Sequence, residues 1–131
     1  MSPIRSFAAR AAAAAVLATA AALGTAIPAS AAPVNYWGAI AISVRTGNIG
    51  YSYDHPTAGS AVSAAIKGCG AADCQEVVRV ANGCAAVAQA PNRAWGWGYG
   101  PSRATAERAA ISGTPGRGAR VLQWLCTTGH L

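Results

Sequence analysis

Few residues in this chain of 131 can do chemistry, and acid–base candidates come first. Asp54 stands next to His55, and Glu107 follows further on. A carboxylate beside an imidazole is the minimum of general acid–base machinery, provided both reach the reacting atoms. A hydrolase would also need a nucleophile converging on that pair in a pocket. Serines such as Ser52 and Ser60 exist, but no G-x-S-x-G turn does, and His55 precedes Pro56 in an apparent loop. His130 lies beside the chain end, where fraying is expected. Glu107 is flanked by Arg103 and Arg108, the pattern of a solvated helix face with local ion pairs. These residues assign no catalytic role, so a non-enzymatic protein is expected.

The cysteines are Cys69, Cys74, Cys84 and Cys126. An even count in an exported chain reads as disulfides, with three connectivities open. Cys69 and Cys74 are close enough for a local bridge, whereas Cys84 opens and Cys126 closes the second half of the chain. That spacing favours 69–74 with 84–126. The C-x4-C spacing is loose for zinc and no histidine sits near it, so neither a metal nor a cofactor is expected.

The third group is Trp95-Gly96-Trp97-Gly98-Tyr99-Gly100. At strand period the aromatics share one face and the glycines the other. Trp95, Trp97 and Tyr99 could stack on sugar rings, peptides or bases and so form a ligand surface. The simpler expectation is that they fill the core beneath a helix. The glycines mark a place where a backbone or ligand comes close. Arg117, in the Gly- and Arg-rich stretch 114–120, would suit a trypsin-like specificity pocket, which makes that stretch a candidate inhibitory loop.

The elements that must carry these residues occur twice, at a period of about 45 residues. In the first unit, about 37–83, Ile40, Ile42 and Val44 alternate with small residues. Thr46-Gly47-Asn48 then turns the chain, and Ile49, Tyr51 and Tyr53 alternate again, which predicts a hairpin. Thr57 is a plausible N-cap for an Ala-rich helix over 58–67, with Gly68 as its left-handed terminator. A strand over 76–81 follows, and Asn82-Gly83 reads as a two-residue hairpin into Cys84. The second unit, about 84–126, repeats the order. Val87 matches Ile40, Trp97 matches Tyr51, Ala110 matches Ala65, and Val121-Leu122 matches Val77-Val78. Ser102 caps a helix over 103–112, and the last strand is 120–126. The expected fold is α+β: two strand–strand–helix–strand repeats forming an antiparallel sheet layer covered by two helices, with pseudo-twofold symmetry.

Residues 1–31 read as a secretory signal peptide. Arg5 and Arg10 precede an uncharged run over 11–26, Ile27-Pro28 breaks it, and Ala29-Ser30-Ala31 supplies small residues for cleavage. The mature part, 32–131, suits one domain. Its eight basic residues against four acidic ones give a net +4, scattered rather than clustered. Nucleic-acid binding would want a patch, so none is expected, and no membrane span is expected in the mature form.

W-G-A-I-A, G-Y-S, an Ala-rich helix ending in cysteine, C-x4-C, N-G-C-A-A-V-A and W-G-W-G-Y together resemble a known family. It is a small exported bacterial domain of unknown function, numbered four-one-eight-nine, and the resemblance covers about 37–126. It implies a compact, secreted, disulfide-linked domain with no established catalytic residues. Members of that family often carry a second cysteine pair where this chain has Thr114 and Gly118. The combined expectation is a secreted interaction module acting at the envelope or outside the cell on a protein or glycan ligand. The alternative is an inhibitor of secreted serine proteases.

Overall fold

The computed structural model describes residues 34–130, so the expected signal peptide lies outside the described residues. In order come β1 (Trp37–Ile42), β2 (Ile49–His55), α1 (Ala58–Cys69), β3 (Gln75–Ala81), β4 (Cys84–Gln89), β5 (Trp95–Gly100), α2 (Arg103–Ser112) and β6 (Arg120–Cys126). The α+β class and the doubled strand–strand–helix–strand order hold. The sheet layer is two three-stranded antiparallel sheets, ordered β2-β1-β3 and β5-β4-β6.

The two sheets stack face to face, β1 against β4, β2 against β6 and β3 against β5. Ile40, Ile42, Val78, Val80, Ala85, Val87 and Leu125 form the core between them. The helices cover the outer faces, α1 on the first sheet and α2 on the second, across layers built mainly of alanine. Side-chain size sorts the layers. Ala39 and Ala41 on β1 meet Ala61 and Ala65 on α1, while Ala86 and Ala88 on β4 meet Ala106 and Ala110 on α2. Small residues on both sides let a helix lie close to its sheet, and the branched residues fill the wider gap between sheets.

Asn82-Gly83 is the main departure from expectation. It is no hairpin but the crossing between sheets. Asn82 extends the first sheet: its N–H donates to Tyr36 O at 2.8 Å, and its side-chain oxygen accepts from Tyr36 N at 2.9 Å. Gly83 extends the second, accepting from Thr127 N and donating to Thr127 Oγ1, both at 2.9 Å. The left-handed φ of Asn82, 54°, turns the chain between them. Long-range partners decide this turn, and no local signal carries them.

The duplication extends to irregularities. β1–β3 and β4–β6 each shift register once, after the matched residues Ile40 and Val87. The pairing equates Val78 with Gln123 and Val80 with Leu125, one residue further along than Val77-Val78 with Val121-Leu122. Thr57 and Ser102 cap the helices, accepting from Ser60 N at 3.1 Å and Thr105 N at 3.3 Å. α1 runs past Gly68 to Cys69, and Gly70 (φ 73°) is its left-handed terminator. The disulfides are Cys69–Cys74 and Cys84–Cys126, and Cys84 and Cys126 are direct cross-strand neighbours. No helix among the described residues is long and apolar enough to cross a membrane.

Candidate functional site

The row on β5 divides as its period predicts, but the faces point opposite to the simpler expectation. The glycines, not the aromatics, lie beneath α2. A Cβ on Gly96 would meet Thr114 N at 2.6 Å and Ala110 O at 2.7 Å. One on Gly98 would meet Ala110 N at 2.6 Å and Ala109 C at 2.7 Å. Only glycine admits the helix backbone at that range. Gly50 does the same for α1 on β2, where a Cβ would run into Ala65 O and Cys69 N.

The aromatics therefore face the other way, toward the rim between the sheets. Trp95 packs against the central core. Trp97 and Tyr99 overhang β3 and stay 46% and 67% exposed. They form one wall of an open cleft of about 460 Å³, with Glu76, Val77, Val78 and Arg79 opposite. Arg79 and Glu76 are paired at 2.8 Å, which puts both a charged donor and a charged acceptor beside the aromatic wall. The same cleft recurs in the first unit, at about 330 Å³, where Tyr51 and Tyr53 on β2 overhang Gln123 and Leu125 on β6. The duplication built two related clefts, and the overhanging strand carries tryptophan in β5 but tyrosine in β2.

The acid–base candidates are engaged elsewhere. Asp54 accepts from the N–H of Thr128 at 2.8 Å and from its hydroxyl, which ties the last described residues to the end of β2. Glu107 pairs with Arg103 at 3.0 Å on α2, and Arg103 stacks 3.9 Å above the Trp124 ring. Asp54 and His55 thus end a strand of the first sheet, while Glu107 sits on the helix that covers the second. His130 has partners: its ring nitrogen lies 3.2 Å from Pro101 O and its N–H donates to Thr127 O at 3.1 Å. No group of three or more His, Cys, Asp or Glu among the described residues could hold a metal ion.

Arg117 is exposed between two left-handed glycines, Gly116 (φ 100°) and Gly118 (φ 76°). Thr114 takes the place of Cys69 in this unit, its hydroxyl donating to Ala110 O at 2.7 Å. In the first unit the loop is held by the Cys69–Cys74 bridge and by Asp73, which accepts from the Ser43 hydroxyl at 2.6 Å and from Arg45 N at 3.3 Å. Those donors hold the Asp73 carboxyl below its ordinary pKa, the Ser43 hydroxyl most of all.

The model of a family described as a domain of unknown function, DUF4189, matches residues 37–126. The chain belongs to the DUF4189 family. Among its relatives are protein Rv1269c of Mycobacterium tuberculosis and protein Mb1300c of Mycobacterium bovis. Each is 41% identical over 90 residues, covering 69% of this chain and 68% of the relative. A solved structure, that of Rv1813c from Mycobacterium tuberculosis by NMR, is similar with a TM-score of 0.56 at 29% identity. The likeness covers 72% of this chain and 78% of that one. For this DUF4189 chain the two disulfides fit an oxidising environment.

Proposed function

We infer that this protein is a secreted, non-catalytic interaction module that works outside the cell or at its envelope. Its ligand stacks on the aromatic wall of β5. One observation carries the reading: Trp97 and Tyr99 are large aromatics left substantially exposed, side by side, over a cleft with polar groups opposite. Exposed aromatic patches on small proteins are where partners bind, and an aromatic face with hydrogen-bonding neighbours suits ring-bearing ligands such as glycans. The disulfides and the signal-like residues 1–31 support the extracellular location. Pull-downs from envelope glycan and envelope protein fractions test it, comparing wild type with Trp97→Ala/Tyr99→Ala. A ligand retained by wild type and lost by the variant is expected. Recovery of nothing, or equal recovery by both, sinks the reading.

Arg117 keeps protease inhibition as a second reading, because the residue is exposed at a loop tip. A substrate-like loop is extended, whereas left-handed glycines on both sides fold this one back toward Asn92 and Pro91. The geometry therefore favours the aromatic wall. Trypsin inhibition at micromolar protein, abolished by Arg117→Ala, would reverse that preference.

A further inference from the structure

Arg45, Arg93, Arg117 and Arg120 are far apart in sequence, yet the fold gathers them at one end of the molecule. Arg45, in the turn after β1, and Arg93, in the turn after β4, line a hollow of about 250 Å³. Arg93 and Arg120, at the start of β6, line a second hollow of about 440 Å³. Gly116 and Gly118 lie against Asn92 and Pro91, which places Arg117 beside the same turn. All four arginines are exposed, and none forms an ion pair among the described residues. Asp73, the acid beside Arg45, already accepts from the Ser43 hydroxyl and Arg45 N, so this end carries a net positive charge.

Two observations make this end more than a solvated charged face. The first is the backbone of Arg93, left-handed at φ 72°. Its turn is fixed: Arg93 N donates to Ala90 O at 2.9 Å, and Ala94 N donates to the Asn92 side chain at 3.0 Å. Asparagine takes that conformation more readily than arginine, so the backbone does not explain the residue. The second is apolar. Val44 and Leu122 stay 70% and 40% exposed, one lining each hollow beside the arginines. Val44 follows the period of Ile40 and Ile42 but stands past the end of β1, outside the core.

We propose that this end docks on a membrane surface of anionic phospholipids. The arginine-lined hollows take the headgroup phosphates, and Val44 and Leu122 reach the acyl boundary. Exposed apolar side chains among cations match a surface that is itself anionic above and apolar below. A soluble polyanion offers nothing to the apolar pair. Neither hollow shares a residue with the cleft of Trp97 and Tyr99, so the inference stands independently of ligand binding on the aromatic wall.

Co-sedimentation of the disulfide-bonded protein with vesicles provides the test, at about 0.1 M salt, where screening acts beyond about 10 Å. Wild type is expected to sediment with vesicles of mixed phosphatidylglycerol and phosphatidylcholine. It should sediment far less with phosphatidylcholine alone, the arm that also reports any pull from residues 1–31. An arginine near an anionic membrane strengthens binding about fivefold, so Arg93→Asn should bind about fivefold less while melting no lower than wild type. Arg108→Gln removes the same charge from α2 and should bind nearly as wild type does. Val44→Ser/Leu122→Ser keeps every charge and should also bind about fivefold less or weaker. Trp97→Ala/Tyr99→Ala should bind vesicles normally. Equal binding to both vesicles, an Arg93→Asn variant no weaker than Arg108→Gln, or a serine variant as tight as wild type overturns the proposal. So does loss of vesicle binding in the Trp97→Ala/Tyr99→Ala variant. A wild type that binds soluble polyphosphate but neither vesicle assigns this end to an anionic polymer and overturns lipid docking.

Discussion

Gly98→Ala is the sharpest probe of how closely the helices lie on their sheets. The added Cβ would run into Ala109 Cβ and fall 2.6 Å from Ala110 N and 2.7 Å from Ala109 C. The last two atoms are helix backbone, so no side-chain rotation relieves the contact. α2 must move off β5 by about 1 Å, since carbon atoms rest about 3.5 Å apart or more. That shift loosens the layer in which Ala86 and Ala88 meet Ala106 and Ala110. Overpacking of this kind costs about 1–3 kcal/mol, and the rigidity of the contact puts this case near the upper end. For a domain of this size each kcal/mol lowers Tm by about 4–8 °C, so the expected fall is about 10–20 °C. Differential scanning calorimetry of the oxidised protein measures it. Gly59→Ala is the counterpart. That glycine lies in the first turn of α1 with nothing within 4 Å of its Cβ, and the change should stabilise by about 0.5–1 kcal/mol. If Gly98→Ala melts within a degree of wild type, the close helix–strand contact is wrong.

Further outcomes follow from the same geometry. Removing Cys84–Cys126, whose partners are 42 residues apart, should cost about 4 kcal/mol in the chain-entropy account. Removing Cys69–Cys74, five apart, should cost about 2 kcal/mol, and urea titrations of the two double-alanine variants would show any reversal of that order. Trp95→Ala, which strips packing from the central core, should destabilise by about 3 kcal/mol. Tyr99→Ala, two-thirds exposed, should cost under about 1 kcal/mol. Asp73 titrates below its ordinary value in the folded state, so its contribution is complete above the unfolded pKa and is lost as pH falls through the folded one. Asp73→Asn should therefore be less stable than wild type at neutral pH, and the difference should shrink as pH drops below about 4, read as Tm against pH.

Much of the architecture is legible in the sequence because local period and small-residue placement specify it. The alternation in β1 and β2 and the N-caps Thr57 and Ser102 carry local signals, and the structure uses them, whereas the face of α1 marked by Val62 and Ile66 gives way to Ala61 and Ala65 as the buried one. Asn82-Gly83 misleads because its hairpin signal is real, but Tyr36 and Thr127 compete for its backbone groups and lie 46 and 44 residues away. α1 ends later than Gly68 suggests because Gly68 and Gly70 are equally able to terminate a helix, and the bridge at Cys69 favours the second. The aromatic row lies on the opposite side from the simpler expectation for an informative reason. Large residues are expected under a helix, but the helices here lie so close to β2 and β5 that glycine and serine stand beneath them on those strands. Gly50 and Ser52 in the first unit are the same signal, since Ser52 sits under α1 with its hydroxyl donating to Ala61 O at 2.6 Å. Their agreement with Gly96 and Gly98 is the clue that the aromatics face outward.

The central claim is that the outward aromatic wall of β5 is the surface this protein works with. Its four tryptophan side chains divide cleanly: Trp37 and Trp124 pack against the alanine layers, Trp95 against the central core, and Trp97 faces the cleft. The most direct measurement is NMR of the four indole N–H signals during titration with solubilised envelope polysaccharide and, separately, envelope protein extract. The account predicts that the Trp97 signal shifts or broadens first with one of them, while those of Trp37 and Trp124 hold. Movement of Trp37 or Trp124 without Trp97, or no movement of any signal with either fraction, would contradict it.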